Sequence, residues 1–309
     1  MERISKDKSE RIWVLKAIAI FTVFFAHMPW AGNNPVMHKI FCLLGIIGVP
    51  SFLFLSGYLS ADSKSSLLIK IKRLCIPLFI WATITFIMSS FTSKGVGGGI
   101  SLVINYIRWT LGSGSIYYFV PLLLICMVLS NYVNQYLLII LSIVSITLSW
   151  DYIPHNEIIT RYLNPFNFIL YFELGKIART HNWQISNKFV ATIGSLAIMI
   201  IVGTLWPSLE PNYFSILCVP FVMAAFVFID TILNIFPLRF LIPIGKFSFV
   251  IYLCHIIIAG VVNGRLHGWM EYIKVPVAFF ITCIFVFIIK LAIEKIFKNE
   301  KALGWLGYR

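Results

Sequence analysis

The sequence predicts an all-α polytopic membrane bundle with about ten transmembrane helices, and three observations lead there. Of 309 residues, 59% are hydrophobic and only 12% are charged, with a mean hydropathy of +0.89; water-soluble domains carry about twice that charged share. The apolar residues collect into runs of the length that crosses a hydrocarbon layer. The basic residues fall mostly on one side of those runs.

The runs, in order, are 13–30, 40–61, 74–92, 115–130, 136–150, 165–180, 189–206, 213–235, 247–264 and 272–293. Charged, Gly, Pro or Asn-rich breaks bound each one. The first follows a polar, basic stretch, 1–11, and shows no small-residue cleavage site, so it is expected to stay as a helix and not to be removed as a signal peptide. The fifth and sixth are short. An even number of crossings places both termini on one side.

Taking that side as cytoplasmic puts nineteen of the twenty-five basic residues inside, among them Lys6, Arg11, Lys16, Lys64, Lys70, Lys72, Arg73, Lys176, Lys246 and Lys290. Six remain outside: Lys39, Lys94, Arg108, Arg161, Arg265 and Lys274. This split follows the positive-inside rule. The expected location is the cell (inner) membrane, multi-pass, with both termini cytoplasmic. The net charge of +13 is then an insertion signal and calls for membrane lipid, with no nucleic-acid partner. No polar stretch is long enough for a separate soluble domain, so 1–309 reads as a single transmembrane domain. No internal repeat is visible, which weakens a repeat-built transporter.

The six cysteines lie in apolar runs without a CxxC pair and read as small core residues; no metal site is expected. The connection 93–115 carries an apolar stripe, Ile100, Val103, Ile104, Ile107 and Leu111, at helical spacing. It presents Asn105, Tyr106, Arg108 and Trp109, either as a sugar-facing surface or as an interfacial anchor.

Chemistry concentrates in the first span. Lys16 and His27 lie eleven residues apart in one apolar run, about 16 Å along a helix at 1.5 Å per residue. Each is costly in hydrocarbon and is a functional-site candidate for that reason. His27 suits a catalytic base, since a neutral imidazole accepts a proton near neutral pH; the bland alternative is a structural histidine. Lys16, about one turn inside the cytoplasmic end, either snorkels to the headgroups or handles a donor. Lys70, Lys72 and Arg73, with Lys64, form a basic cluster at that mouth, serving topology or the phosphates of an acyl-CoA. Ser56 precedes a glycine, where close helix packing competes with orienting a donor. His255 lies mid-span, as a structural residue or as a partner to His27. Glu173 is expected to pair with Lys176 or Arg179 or, alternatively, to balance Lys16. Arg161 and Arg265 are loop cations that suit an anionic acceptor only secondarily. No phosphate-binding glycine loop, HExxH or Gly-x-Ser-x-Gly occurs, which argues against an ATPase, a metalloprotease and a serine hydrolase.

These strings, in this order, resemble a known family. Leu15-Lys16-Ala17-Ile18-Ala19-Ile20 leading to His27 is similar to the first helix of the acyltransferase-3 family, integral membrane acyltransferases that modify glycans and lipid-linked sugars. Gly48-Val-Pro-Ser-Phe-Leu-Phe-Leu-Ser56-Gly57-Tyr58-Leu59, the basic run Lys70-Ile-Lys72-Arg73 before Pro77, Tyr117-Tyr118-Phe119, and Ser248-Phe-Val-Ile-Tyr252-Leu253-Cys-His255 resemble later motifs of the same family. The resemblance covers nearly the whole chain. It departs at Lys16, where arginine is usual; lysine lacks the bidentate guanidinium contact, and this form looks closest to the sugar O-acetylase branch. The resemblance implies an O-acetyltransferase using cytoplasmic acetyl-CoA or another acyl-CoA as donor. The acceptor is a sugar hydroxyl on a surface glycan or lipid-linked precursor. His27 is expected as base, with His255 orienting it and Lys16, at the other end of the helix, handling the donor. Lys70, Lys72, Arg73 and Ser56 are expected on the donor. From a different class, a polysaccharide or lipid-linked sugar transporter or export component stays open.

Overall fold

A computed structural model describes residues 5–61, 66–92, 100–111, 116–151, 162–266, 268–297 and 300–308. Lys64, Lys94 and Arg161 lie outside the described residues. The described residues are helical or irregular, with no strand among them.

Helix α1, Lys6–His27, is capped by Ser5, whose side chain accepts from the Lys8 amide. It is followed by α2, Pro35–Gly45, and α3, Gly48–Ser60. Then come α4, Leu67–Thr92, with Pro77 inside it; the amphipathic α5, Ile100–Leu111; and α6, Phe119–Tyr132, after a 3-10 turn at Ile116–Tyr118. The chain continues through α7, Gln135–Asp151; α8, Ile169–Thr180; α9, Lys188–Leu205; and α10, Cys218–Ile235. Short α11, Ile242–Lys246, leads into α12, Ser248–Asn263, then α13, Lys274–Phe297, and α14, Glu300–Trp305.

Among the described residues, five helical stretches are long and apolar enough to cross a membrane: Pro35–Ser60, Leu67–Met88, Lys188–Leu205, Cys218–Ile235 and Lys274–Ile296. A sixth is a broken span, Arg239–Lys246 with Ser248–Asn263, bent by 77°. Large apolar side chains stand exposed along α4, α7, α9 and α13, including Phe79, Ile140, Ile200 and Ile284. In a membrane that surface meets acyl chains, so this is a multi-pass membrane protein.

α1 runs through the middle, touching α2, α3, α11, α12 and α13. Its apolar side chains Ile20, Val23 and Phe24 are buried in the main core, while Ile12, Val14 and Leu15 pack with Leu55 and Leu233 in a smaller one. A close crossing joins α3 to α8. A Cβ on Gly57 would overlap the carbonyl of Phe172, and one on Gly175 would overlap the carbonyl of Phe54. The two glycines let the backbones meet without side chains between them, the usual device for helix association in lipid. Gly57 therefore packs as the sequence offered in one of two readings, while Ser56 lines the cavity described below.

α5 lies against α4. The Tyr106 hydroxyl is 2.8 Å from Thr83 Oγ1, and Trp109 Nε1 donates to Thr85 Oγ1 at 3.1 Å. The polar groups of these two aromatic residues are engaged in holding α5 on the bundle, which favours the anchor reading of that helix.

Candidate active site

α1 sets two ends, a basic end at Lys16 and a histidine end at His27. At the basic end a cavity of about 300 Å³ opens between α1, α3, α4, α6 and α12. Its lining brings together Lys16, Ser56, Lys70 and Arg73 from the sequence-predicted set and adds Lys246, Ser60, Ser248 and Tyr252. Among the described residues, four cations line it and no carboxylate does. Lys70 Nζ donates to Ser60 Oγ at 3.4 Å, and Lys16 Nζ stands 4.7 Å from the Trp13 ring centroid.

Lys72 is exposed and does not line the cavity. The helical repeat explains this: Lys70 and Arg73, three apart, share a face, and a residue two positions on from Lys70 points away from it.

Lys246 was legible only as a topology charge. It enters the cavity because α11 packs hard against α1: a Cβ on Gly245 would overlap the Trp13 carbonyl. The 77° bend at Phe247 then turns the chain so that Lys246 and Ser248, on either side of it, both face the cavity. The C-terminal segment was missed altogether. Trp81 Nε1 donates to the Leu306 carbonyl at 3.1 Å, and the Tyr308 hydroxyl donates to the Val286 carbonyl at 2.7 Å. These bonds hold Gly307, in the left-handed region at φ +95°, in the cavity wall.

At the histidine end the structure pairs His27 with His255. Their ring centroids are 5.0 Å apart, with the planes inclined by 56°. His255 is fully buried and stacks on Tyr252 at 5.6 Å. Its Nδ1 lies 2.5 Å from the Tyr252 carbonyl oxygen, which only accepts, so Nδ1 carries the proton and donates. Nε2 is thereby left as an acceptor, buried and without a hydrogen-bond partner among the described residues. His27 itself is half-buried, next to exposed Ala26 and Pro29. Tyr252 is thus a bridge, lining the cavity on one side and touching the histidine pair on the other.

Among the described residues, two acids lie away from the cavity lining. Glu173 is fully buried with Lys176 Nζ at 3.5 Å, and Asp230 meets Arg11 at 2.5 Å. Glu173 therefore meets Lys176 within its own helix, as the three-residue spacing suggested. Arg265 is exposed in the turn after α12, away from the cavity lining. Among the described residues no group of three or more His, Cys, Asp or Glu side chains is placed to hold a metal ion.

An imidazole pair at one end of α1 and a cationic cavity at the other make up the candidate site. A family model described as an acyltransferase domain matches residues 10–295, and the chain belongs to the acyltransferase 3 family. It is accordingly a membrane acyltransferase that takes an acyl group from a donor to an acceptor. No curated protein and no solved structure matches the chain.

Proposed function

We propose that this protein is a membrane O-acetyltransferase that uses cytoplasmic acetyl-CoA to acetylate a sugar hydroxyl on a surface glycan or its lipid-linked precursor. The observation that carries this reading is the continuity from the cationic cavity through Tyr252 to the His255–His27 pair. Lys16, Lys70, Arg73 and Lys246 attract the donor's phosphates, charge-assisted contacts that a carboxylate in the lining would weaken. Lys72 adds to the positive field at the mouth without lining it. Ser56, on the cavity wall, orients the donor. An extended pantetheine arm is on the order of the Lys16-to-His27 separation given by helix rise, so the thioester reaches the histidine end directly.

In the reaction, His27 takes the proton of the acceptor hydroxyl as its oxygen attacks the thioester carbonyl. The new C–O bond forms, the C–S bond breaks, and the departing sulfur takes up a proton, leaving an ester and free CoA thiol. His255, fixed in one tautomer by the Tyr252 carbonyl, presents its Nε2 lone pair beside His27 and positions it. The acceptor comes to His27 from the side where Ala26 and Pro29 are exposed.

Four further helices, α1, α6, α7 and α8, complete ten crossings with the six apolar spans, and residues 1–309 act as one domain. The basic end faces the cytoplasm with both termini, as the distribution of lysine and arginine supports, in the cell (inner) membrane. The export reading has no observation in its favour.

The test is release of CoA thiol from acetyl-CoA by membranes carrying the protein, with acceptor glycan supplied. His27→Ala should insert normally and lose that release. Surface glycan from producing cells should gain the mass of an acetyl unit over cells lacking the gene. A well-inserted, active His27→Ala protein, or glycan without the mass difference, contradicts the proposal.

A further inference from the structure

The cations of the cavity suit the phosphates of a donor, and one large side chain beside them has no part in that. Trp13 lines the cavity with Lys16. The two lie three residues apart on α1, so they share a face. Lys16 Nζ stands over the Trp13 ring, 4.7 Å from its centroid, a cation–π contact that holds the indole next to the lysine. The other aromatic rings of the lining are engaged elsewhere. Phe52, Phe119 and Tyr252 are each at most 8% exposed and pack against one another. Phe249 meets the C-terminal wall, where a Cβ on Gly307 would come within 3.2 Å of its ring. Trp13 is half-buried. Its close contact with α11 is made by its backbone, since the atom that a Cβ on Gly245 would overlap is the Trp13 carbonyl. The indole is thus a flat, two-ring surface at the basic end of the cavity.

We propose that Trp13 binds the nucleoside of the donor, stacking its indole on the base while Lys16 holds the adjoining phosphate. This rests on the reading above that the donor is an acyl-CoA entering from the basic end. In such a donor the groups run in a fixed order: thioester, pantetheine arm, diphosphate, nucleoside. Along α1 the matching residues run His27, Lys16, Trp13. Trp13 lies about 4.5 Å beyond Lys16 by helix rise, on the side away from His27. The nucleoside falls there once the diphosphate is at Lys16 and the thioester at His27. Stacking asks only for the π-face of the base and is worth about tenfold or more in affinity. A tryptophan near the end of a membrane helix otherwise serves as an interfacial anchor. That role takes no account of which donor is bound, and so the two roles separate by experiment.

The test compares CoA with phosphopantetheine, which keeps the thiol, the arm and one phosphate and lacks the nucleoside. Calorimetry gives the Kd of each for wild type, Trp13→Leu and Trp13→Phe in detergent, and thiol release from the two acetylated forms gives the matching KM values. Folding of each variant is checked by thermal unfolding. Trp13→Leu should raise the ratio of the CoA value to the phosphopantetheine value by about tenfold. Trp13→Phe keeps a ring and should raise it by less. A tryptophan that only anchors α1, or acts only by holding Lys16, changes both ligands alike, since both carry a phosphate. Should Trp13→Leu not fold, Trp13→Phe reads the same ratio. An unchanged ratio in a folded variant overturns the stacking role, and the proposed function stands. A wild type that neither binds CoA nor releases thiol from acetyl-CoA overturns the proposed function and the stacking role together.

Discussion

The two ends of α1 use lysine in opposite ways. At the basic end, Lys16, Lys70, Arg73 and Lys246 ring a cavity, and none of the described residues in its lining is a carboxylate. At the histidine end, Lys274 is fully buried, and protein groups satisfy it. It pairs with Glu271, donates to the Pro29 carbonyl at 2.6 Å and donates to Asn263 Oδ1 at 3.2 Å. The second pattern is structural: it ties the segment just after His27 to the end of α12 and the start of α13. Glu271 also accepts from the Ala31 amide at 3.4 Å, fixing the same segment. The first pattern gathers positive charge on the wall of a cavity. A cation inside a membrane protein is thus read by what meets its donors, and sequence position alone does not give that.

The contrast is broken most readily at Lys274. Lys274→Met leaves the Glu271 carboxylate buried without its partner, and stability should fall by about 3–5 kcal/mol, read by thermal unfolding in detergent. Unchanged unfolding would put Lys274 in the same class as the cavity lysines. At the basic end the effect should appear in binding. Arg73→Ala and Lys246→Ala should each raise KM for acetyl-CoA about 10- to 100-fold, the worth of a charge-assisted hydrogen bond, while unfolding stays close to wild type. Lys72→Ala sharpens the comparison, since its KM shift should be smaller than that of Arg73→Ala; equal shifts would mean that net charge and not the cavity wall matters. The smallest change is expected from Arg11→Ala. Its pair with Asp230 is partly exposed, at 30% and 26%, and such pairs are worth about 0–1 kcal/mol.

The first-helix pair, the Ser56-Gly57 step, the basic run Lys70–Arg73 and the Ser248–His255 string were all legible, because each depends on spacing within one helix; that Lys72 leaves the face shared by Lys70 and Arg73 came from the structure. The α-helical membrane class followed from composition. What the sequence did not give depends on contacts between distant segments. Lys246 looked like one more topology charge until the Gly245–Trp13 approach and the bend at Phe247 turned it into the cavity. The Leu306–Tyr308 segment carries no motif; it is placed by Trp81 and Val286, more than 200 and about 20 residues away in sequence. Phe119 was part of a recognised string, but nothing local showed that its ring meets Phe52 and Tyr252. Asn105, Tyr106, Arg108 and Trp109 show the reverse case. Their pattern suited a sugar surface, yet two of the four are tied to threonines of α4.

The division of labour along α1 is tested most directly by kcat and KM for acetyl-CoA measured side by side in His27→Ala and Lys246→Ala. The account predicts a split. His27→Ala should lower kcat by about 10²- to 10⁴-fold with KM near wild type, the loss expected of a missing general base. Lys246→Ala should raise KM with kcat near wild type. A His27→Ala protein that keeps its kcat and loses only donor affinity, or a Lys246→Ala protein that loses only kcat, would contradict it.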